Sequence, residues 1–217
     1  MGSIEKVSLN LSDKLGAKLN KTKEEKSVLN YGLFIILHTL IGIILTFFVG
    51  IVTGTVIEIM SISITTALLK RYTGGVHATT PERCAIIGVL LAFILSLICK
   101  YLVNTLENKE LIILITITLS YSYYILYKKC PVPSKNKPIK KETTKKRMRK
   151  KAFELLNIYL ILILMLMVVH NRLDIQIAKT LMIAILLGIT LQMSVLTSIG
   201  SKFINKLDNI FNIINSS

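Results

Sequence analysis

The chain has 217 residues, of which 52% are apolar and only 18% charged, and its formal net charge is +15. Soluble domains carry about 25% charged residues, whereas Tyr31–Val52 here contains no Lys, Arg, Asp or Glu at all. The apolar content excludes a disordered chain, and three cysteines without paired spacing argue against a disulfide framework or a zinc site. The composition is that of an all-α, polytopic membrane protein.

The first thirty residues are polar and rich in lysine, and they lack the apolar stretch of a cleavable signal peptide. Their apolar side chains recur at three- and four-residue steps, which predicts a cytoplasmic amphipathic helix at the membrane surface within residues 1–30. Such a helix either anchors the chain to anionic lipid or docks an amphipathic partner helix. The apolar positions are Ile4, Val7, Leu11, Leu15 and Leu19.

Residues 31–197 contain six apolar segments, which predict a transmembrane domain of six helices. The second segment is short and contains Glu58, so it is either deeply embedded or partly re-entrant. Residues 198–217 repeat the amphipathic pattern and predict a second helix at the membrane interface. The six segments are Tyr31–Val52, Val56–Leu69, Ala85–Val103, Leu111–Tyr127, Leu155–Val169 and Ile177–Leu196.

The distribution of positive charge predicts how these helices are oriented. The loop 128–151 holds twelve Lys and Arg residues against a single acid, Glu142, and short loops with such an excess stay in the cytoplasm. With six crossings the same side collects residues 1–30, the loop 70–84 and residues 198–217, and with them 23 of the 27 positive residues. We therefore expect all four of these segments to face the cytoplasm.

The loop between the second and third segments carries the most informative residues. Pro81 disfavours helical backbone in the residue before it and is well tolerated in the first turn of a new helix. Thr79 and Glu82 have the spacing of a capping box, so we expect a helix to begin at Thr79 or Thr80 and to continue into the third segment. Cys84 then lies near the N-terminus of that helix, where the helix dipole favours a thiolate.

A histidine precedes this helix start and gives the loop its chemical interest. His77 can fold back towards Cys84, and a Cys–His pair in this arrangement is typical of an activated nucleophile with its general base and acid. Arg71 adds positive charge nearby. Gly74 and Gly75 allow positive φ and close backbone approach, which suits amide groups that donate to a developing oxyanion.

A structural role for the same residues is the alternative. Free cysteines are often buried and inert, and a cysteine beside a membrane is a common palmitoylation site in eukaryotes. The Cys84–His77 pair has no obvious third member, because the Glu82 carboxylate that would orient His77 is also expected to cap the helix. Cys99 lies inside the third segment, where a packing role is expected. Cys130 is a weak candidate because it has no histidine beside it.

The basic loop 128–151 has two interpretations. It either fixes the topology and binds lipid head groups, or it recruits an acidic peptide. Nucleic-acid binding is not expected, since the run of charges has no interleaved aromatic residues and belongs to a membrane loop. The sequence contains no Walker motif, HExxH motif or dinucleotide-binding fingerprint, and neither a metal nor a cofactor is expected.

Both loops resemble those of the AgrB family, membrane proteins that process quorum-sensing peptides in Gram-positive bacteria. The resemblance rests on RYTGGVH at 71–77, TTPERC at 79–84 and CPVPSKNKPI at 130–139. The six-segment layout and the pair Tyr31–Gly32 are similar as well. The most specific features are the spacing from His77 to Cys84 and the NKP sequence in the basic loop.

This resemblance implies a membrane cysteine endopeptidase that removes the C-terminal part of an AgrD-like propeptide. The released product would be a macrocyclic thiolactone, or a lactone if the propeptide supplies serine. The resemblance implies Cys84 as nucleophile and His77 as general base and acid, with Arg71 and Gly75 in supporting roles. It also implies an acidic propeptide tail, which the basic loop would recruit. The lysines singled out for this recruitment are Lys128, Lys129, Lys135 and Lys137.

The expected partners are therefore the propeptide and the lipid bilayer of a Gram-positive cell membrane. A second copy of the chain is a further candidate, because many membrane proteins of this size associate. The alternative function is a peptide exporter or a membrane scaffold without covalent chemistry. A transporter would place polar groups near the middle of the bilayer, where only His38 and Glu58 are candidates. The reactive residue types gather instead at the cytoplasmic edge, which favours an enzyme.

Overall fold

The computed structural model describes residues 3–76, 78–133 and 141–216 of the chain. Within these residues the regular elements are α-helices. In addition, the backbones of Gly74 and Val132 form one isolated parallel bridge. The all-α polytopic class expected from the sequence is confirmed. The helices are α1 (Ser3–Lys18), α2 (Lys23–Thr53), α3 (Val56–Thr73), α4 (Pro81–Thr105), α5 (Asn108–Lys129), α6 (Glu142–Leu173), α7 (Gln176–Val195) and α8 (Ser198–Ser216).

The chain divides into two compact units, Met1–Leu45 and Thr46–Ser217. The first unit contains α1 and the first part of α2. A reciprocal pair of hydrogen bonds begins α2: the Thr22 amide donates to the Glu25 carboxylate at 2.9 Å, and the Glu25 amide donates to the Thr22 hydroxyl at 3.3 Å. This is the capping arrangement that a Thr-x-x-Glu sequence favours.

In the second unit α7 is the central helix, and it packs against α3, α4, α5, α6 and α8. The contact with α3 is the most extensive of these. Apolar side chains fill the space between these helices, as an interior helix requires. The fully buried members of α3 and α7 include Ile59, Ile62, Leu69, Met182, Ile183, Ile189 and Met193.

A glycine allows α3 and α7 to approach closely. A Cβ atom added at Gly188 of α7 would lie 2.8 Å from Thr65 Cβ and 2.9 Å from the Ile62 carbonyl oxygen of α3. At the same level the Thr66 hydroxyl donates to the Gly188 carbonyl oxygen at 3.2 Å. Small residues and hydroxyl-to-carbonyl bonds of this kind hold helices together where lipid removes the hydrophobic driving force.

Five helices are long and apolar enough to cross a membrane: α2, α4, α5, α6 and α7. The short second segment predicted from the sequence forms α3, a continuous helix of 18 residues with Glu58 in its first turn and Lys70 and Arg71 in its last. Its ends carry too many charged residues for it to be counted among the spans found in the described part of the chain. The expected number of six crossings is therefore not confirmed.

The C-terminal amphipathic stretch forms the helix α8. One face of α8 packs against α4 and α7. Ile204 and Asp208 are buried on this face, with 8% and 4% of their surface exposed, whereas Ile199 and Phe203 remain exposed. The helix thus has a lipid-compatible stripe beside a face that packs on the body of the protein, which the amphipathic pattern alone did not distinguish.

Candidate active site

The Gly74–Gly75 turn ends α3 and begins the candidate site. Gly74 has φ +72° and Gly75 has φ +123°, which are conformations that side-chain-bearing residues rarely adopt. The Gly74 amide donates to the Lys70 carbonyl oxygen at 3.0 Å and so closes the last turn of α3. A Cβ atom at Gly74 would lie only 2.1 Å from the Val132 carbonyl oxygen. Glycine is therefore required here for both conformation and space.

This turn pairs with the first residues of the basic loop. The Val132 amide donates to the Thr73 carbonyl oxygen at 2.8 Å, and the Gly75 amide donates to the Val132 carbonyl oxygen at 3.1 Å. The two sequence motifs at 71–77 and 130–139 thus meet in a parallel bridge where α3 and α5 both end. A bridge of this kind needs accessible backbone amide and carbonyl groups on both segments, and the glycine turn provides them on one of the two.

A glutamine of α7 forms hydrogen bonds to this turn. Gln192 is 1% exposed, and its Nε2 donates to the Thr73 hydroxyl at 2.8 Å and to the Gly74 carbonyl oxygen at 3.0 Å. Thr73 is itself fully buried. Because unpartnered buried carbonyl groups are costly, these bonds hold the end of α3 in one position relative to α7.

The next helix begins where the sequence predicted. Thr80 is the N-cap of α4, its hydroxyl accepts from the Arg83 amide at 3.3 Å, and Pro81 is the first helical residue. The expected capping box between Thr79 and Glu82 is wrong, because the Thr79 hydroxyl donates instead to Asp208. The Glu82 oxygen Oε1 is buried and has no hydrogen-bond partner among the described residues of the chain.

An acidic residue of α8 holds the loop just before this cap. The Thr79 amide donates to Asp208 Oδ2 at 2.9 Å, and the Thr79 hydroxyl donates to Asp208 Oδ1 at 3.1 Å. Arg83 Nη1 donates to the Thr79 hydroxyl at 3.2 Å and lies 3.9 Å from Asp208 Oδ1. The buried carboxylate is therefore satisfied by two hydrogen bonds and a nearby cation, as a buried charge must be.

Cys84 lies one turn into α4, three residues after the Pro81 that begins the helix. It is half-buried, whereas Cys99 and Cys130 are buried. The Lys70 ammonium lies 3.9 Å from Cys84 Sγ, and Cys84 packs against an apolar cluster that includes Ala78 of the loop and Ile204 of α8. Cys84 therefore combines a partly exposed sulfur, a neighbouring cation and a position close to a helix N-terminus.

The environment of Cys130 is unfavourable for the same chemistry. Burial raises the pKa of the Cys130 thiol to about 12, although Arg149 opposes the shift. A thiol with this pKa carries almost no thiolate at neutral pH. Cys99 is fully buried inside α4, and its Sγ donates to the Thr180 carbonyl oxygen at 3.7 Å. Cys84 is thus the cysteine that a substrate can reach.

The remaining candidate residues are distributed as follows. Arg71 is exposed and its guanidinium lies 5.7 Å from the centre of the Tyr72 ring, so the cation that faces Cys84 is Lys70 rather than Arg71. Lys128 and Lys129 are exposed in the last turn of α5, with the Lys128 ammonium over the Tyr124 ring. Three candidates lie outside the described residues: His77, Lys135 and Lys137.

The amides of Gly74 and Gly75 are not the free donors that the sequence suggested. Each is already bonded, one to the Lys70 carbonyl oxygen and the other to the Val132 carbonyl oxygen. Their role in this structure is to shape the turn rather than to hold an oxyanion, since an amide that is already bonded must first lose its partner. The Lys70 ammonium is the positive group that lies nearest to Cys84 Sγ in the described contacts.

Three residues of the site escaped the sequence analysis: Lys70, Gln192 and Asp208. For Lys70 the signal was present, because two adjacent cations precede the glycine turn, but the sequence does not say which of them faces the cysteine. Gln192 is a polar residue in an apolar segment, which could have been singled out as functional by default. Asp208 is the single acid within residues 198–217, and its partners are 129 positions away.

Comparison with known proteins matches the chain over most of its length. The family model for accessory gene regulator B matches residues 8–196. An AgrB-like protein of Clostridium perfringens strain SM101 is 32% identical over 210 residues, which cover 96% of this chain and 98% of that protein. A second AgrB-like protein, from Clostridium perfringens strain 13, is 31% identical with the same coverage. One from Halalkalibacterium halodurans is 25% identical over 94% of this chain and 92% of its own length. No solved structure matches the chain.

Proposed function

The chain belongs to the AgrB family, as a multi-pass membrane protein of the agr quorum-sensing system, and from that premise we propose that it is a cysteine endopeptidase. Its substrate is an AgrD-like propeptide, and its product is a macrocyclic thiolactone, or a lactone where the ring residue is serine. The observation that carries the proposal is the position of Cys84. It is partly exposed at the N-terminus of α4 beside a cation, whereas the other two cysteines are buried.

The chemistry has two stages that share one thioester. His77 takes the thiol proton, and the Cys84 thiolate attacks a propeptide carbonyl carbon. The C–N bond then breaks, and the leaving amine takes the proton from His77. His77 next takes the proton of a propeptide thiol, whose sulfur attacks the Cys84 thioester. The ring thioester forms, and the departing Cys84 sulfur recovers a proton from His77. The bond that forms and the bond that breaks in this second stage are both thioesters, so the exchange changes the bond energy little.

Neighbouring groups support these steps. The Lys70 ammonium stabilises the thiolate and the negative charge that develops on the attacked carbonyl oxygen. Oxygen Oε1 of Glu82, which has no partner within the described ranges, is placed near the start of α4 and is proposed to orient His77. The partly buried position of Cys84 limits the access of water, which would otherwise hydrolyse the thioester before the ring closes.

The basic surface offers a means of selecting the substrate. Lys128 and Lys129 end α5, and the first two turns of α6 add further cations, among them Lys145 and Arg149. The bridge between Gly74 and Val132 holds the start of the basic loop 128–151 against the Gly74–Gly75 turn. An acidic propeptide tail bound there would hold the scissile bond close to Cys84, because opposite charges attract over about 8 Å at physiological salt.

The direction in which the site faces can be tested by labelling. We expect a cysteine introduced at Lys141, in a background with all three native cysteines replaced by alanine, to react with a membrane-impermeant maleimide only after the cells are opened. A cysteine at Asn108, the first residue of α5, should react in intact cells. Both residues are exposed. The reverse pattern would put residues 70–84 on the outer face of the membrane, and it would contradict the cytoplasmic placement of the site.

The shared thioester gives the second test. Replacing the ring-forming residue of the propeptide with alanine removes the internal nucleophile but leaves the first attack unchanged. An adduct of enzyme and propeptide fragment should therefore accumulate, detectable by mass spectrometry at early times, sensitive to hydroxylamine and absent from Cys84→Ala. The unaltered propeptide serves as the control, with little adduct and cyclic product. An adduct on Cys130, or linear acid as the product from the unaltered propeptide, would contradict the mechanism.

A further inference from the structure

The loop between α3 and α4 is held in a different way at each of its ends. At one end the Gly74–Gly75 turn is bonded to the backbone of Val132 and to Gln192. At the other end Thr79, the residue before the Thr80 N-cap of α4, donates to a residue far away in the chain. Its backbone amide and its hydroxyl both donate to the carboxylate of Asp208 in α8.

We propose that Asp208 is a positioning residue for the peptidase reaction, acting through Thr79 on the segment that joins His77 to Cys84; the inference rests on the function proposed above. Thr79 is two residues after His77 and five before Cys84. A carboxylate that accepts from the amide and the hydroxyl of one residue fixes both the position and the rotation of that residue. Hydrogen bonds to an ionised acceptor are about twice as strong as neutral ones.

The packing around Asp208 is that of a built contact rather than of a surface ion pair. Asp208 is 4% exposed, and Ile204, one turn earlier in α8, is 8% exposed. Ile204 packs in one cluster with Ala78 of the loop and Val195 of α7, and Cys84 lies at the edge of this cluster. The charged groups that face Asp208 from the packed helices include Arg83 of α4 at 3.9 Å. The loop is thus held by an apolar contact and by two charged hydrogen bonds from one helix.

The consequence for catalysis is in the rate of the chemical step rather than in substrate binding. A misplacement of about 1 Å between reacting groups can lower a rate about 100-fold. Within the described residues the main contacts of α8 are with α4 and α7, whereas the cations proposed to bind the propeptide tail lie at the end of α5 and the start of α6. Loss of the carboxylate should therefore lower kcat and leave KM nearly unchanged.

The test uses the full-length protein in phospholipid vesicles, with kcat expressed per Cys84 site titrated by iodoacetamide. Asp208→Asn should lower kcat roughly 10- to 100-fold and change KM less than about threefold. Thr79→Val should cause a comparable loss, and Thr79→Ser, which keeps the hydroxyl, should restore most of the rate. The double variant Asp208→Asn with Thr79→Val should be no slower than the slower single variant. Asn209→Ala, at the next and exposed position of α8, is the matched control.

The outcomes separate the inference from its premise. If kcat per site is unchanged in Asp208→Asn, or if the losses of the two single variants multiply, Asp208 does not act through Thr79. A variant that only folds less well would show fewer titratable sites with normal kcat per site, which also overturns the inference. Should Asp208→Asn not insert at all, Thr79→Val and Thr79→Ser test the same contact from the other side. Cleavage that persists in Cys84→Ala would instead overturn the proposed function.

Discussion

Cys84→Ala should reduce propeptide cleavage below detection, a loss of more than about 10,000-fold, because no other described thiol can replace the nucleophile. Cys99 is fully buried, and burial raises the pKa of Cys130 to about 12. Cys84, by contrast, is half-buried and lies beside Lys70. The measurement is the initial rate of cleavage of the cognate propeptide by each variant reconstituted in vesicles at equal amounts of inserted protein.

The other two cysteines provide matched controls. Cys99→Ala and Cys130→Ala remove the same atoms from buried positions and should retain most of the activity. Cys99→Ala leaves the Thr180 carbonyl oxygen without its thiol donor, which is a weak contact at 3.7 Å. Residual cleavage by Cys84→Ala above that of empty vesicles, or complete loss in Cys130→Ala with normal insertion, would place the nucleophile elsewhere.

Gly74→Ala should inactivate the protein nearly as completely, with a loss of cleavage of about 100-fold or more. The conformation with φ +72° and ψ −145° costs a residue with a side chain about 1–3 kcal/mol. The added Cβ would also lie 2.1 Å from the Val132 carbonyl oxygen, so the bridge between the two loops must open. Cleavage rates and the melting temperature in detergent should be measured together, because only the local turn is expected to change.

A second glycine separates this local effect from a general one. Gly88 lies inside α4 and has no atom within 4 Å of an added Cβ, so Gly88→Ala should raise the helix propensity and preserve the activity. Equal activities of Gly74→Ala and Gly88→Ala would show that the bridge has no part in catalysis. A loss in both would indicate that α4 itself does not tolerate substitution.

The sequence predicted the parts of the site that depend on neighbouring residues. Pro81 and the threonine before it place the start of α4 within one residue, because their effects act on the local backbone. The position of Cys84 in the first turns of α4 follows directly from that start. The positive φ of Gly74 follows equally from the two adjacent glycines that interrupt a helical pattern.

The parts that depend on distant residues could not be predicted. Two segments 58 positions apart meet at Gly74 and Val132, and only the packing of α3 and α5 around α7 brings them together. For the same reason the sequence suggested that the amides of Gly74 and Gly75 are free to donate, whereas in the structure both already donate to backbone carbonyl oxygens. The number of membrane crossings could not be predicted from hydropathy either, because α3 is apolar in its middle and charged at both ends.

The contact between Thr79 and Asp208 also has a meaning in time. The two residues are 129 positions apart in the chain, and a ribosome that adds about 5–20 residues per second needs roughly 6–26 seconds to pass from one to the other. During that interval Cys84 has been made and α4 can enter the membrane, but the carboxylate that fixes the loop has not yet been synthesised. A nascent chain therefore contains Cys84 before Thr79 has its carboxylate partner. The Thr79–Asp208 contact can form only after α8 has been synthesised.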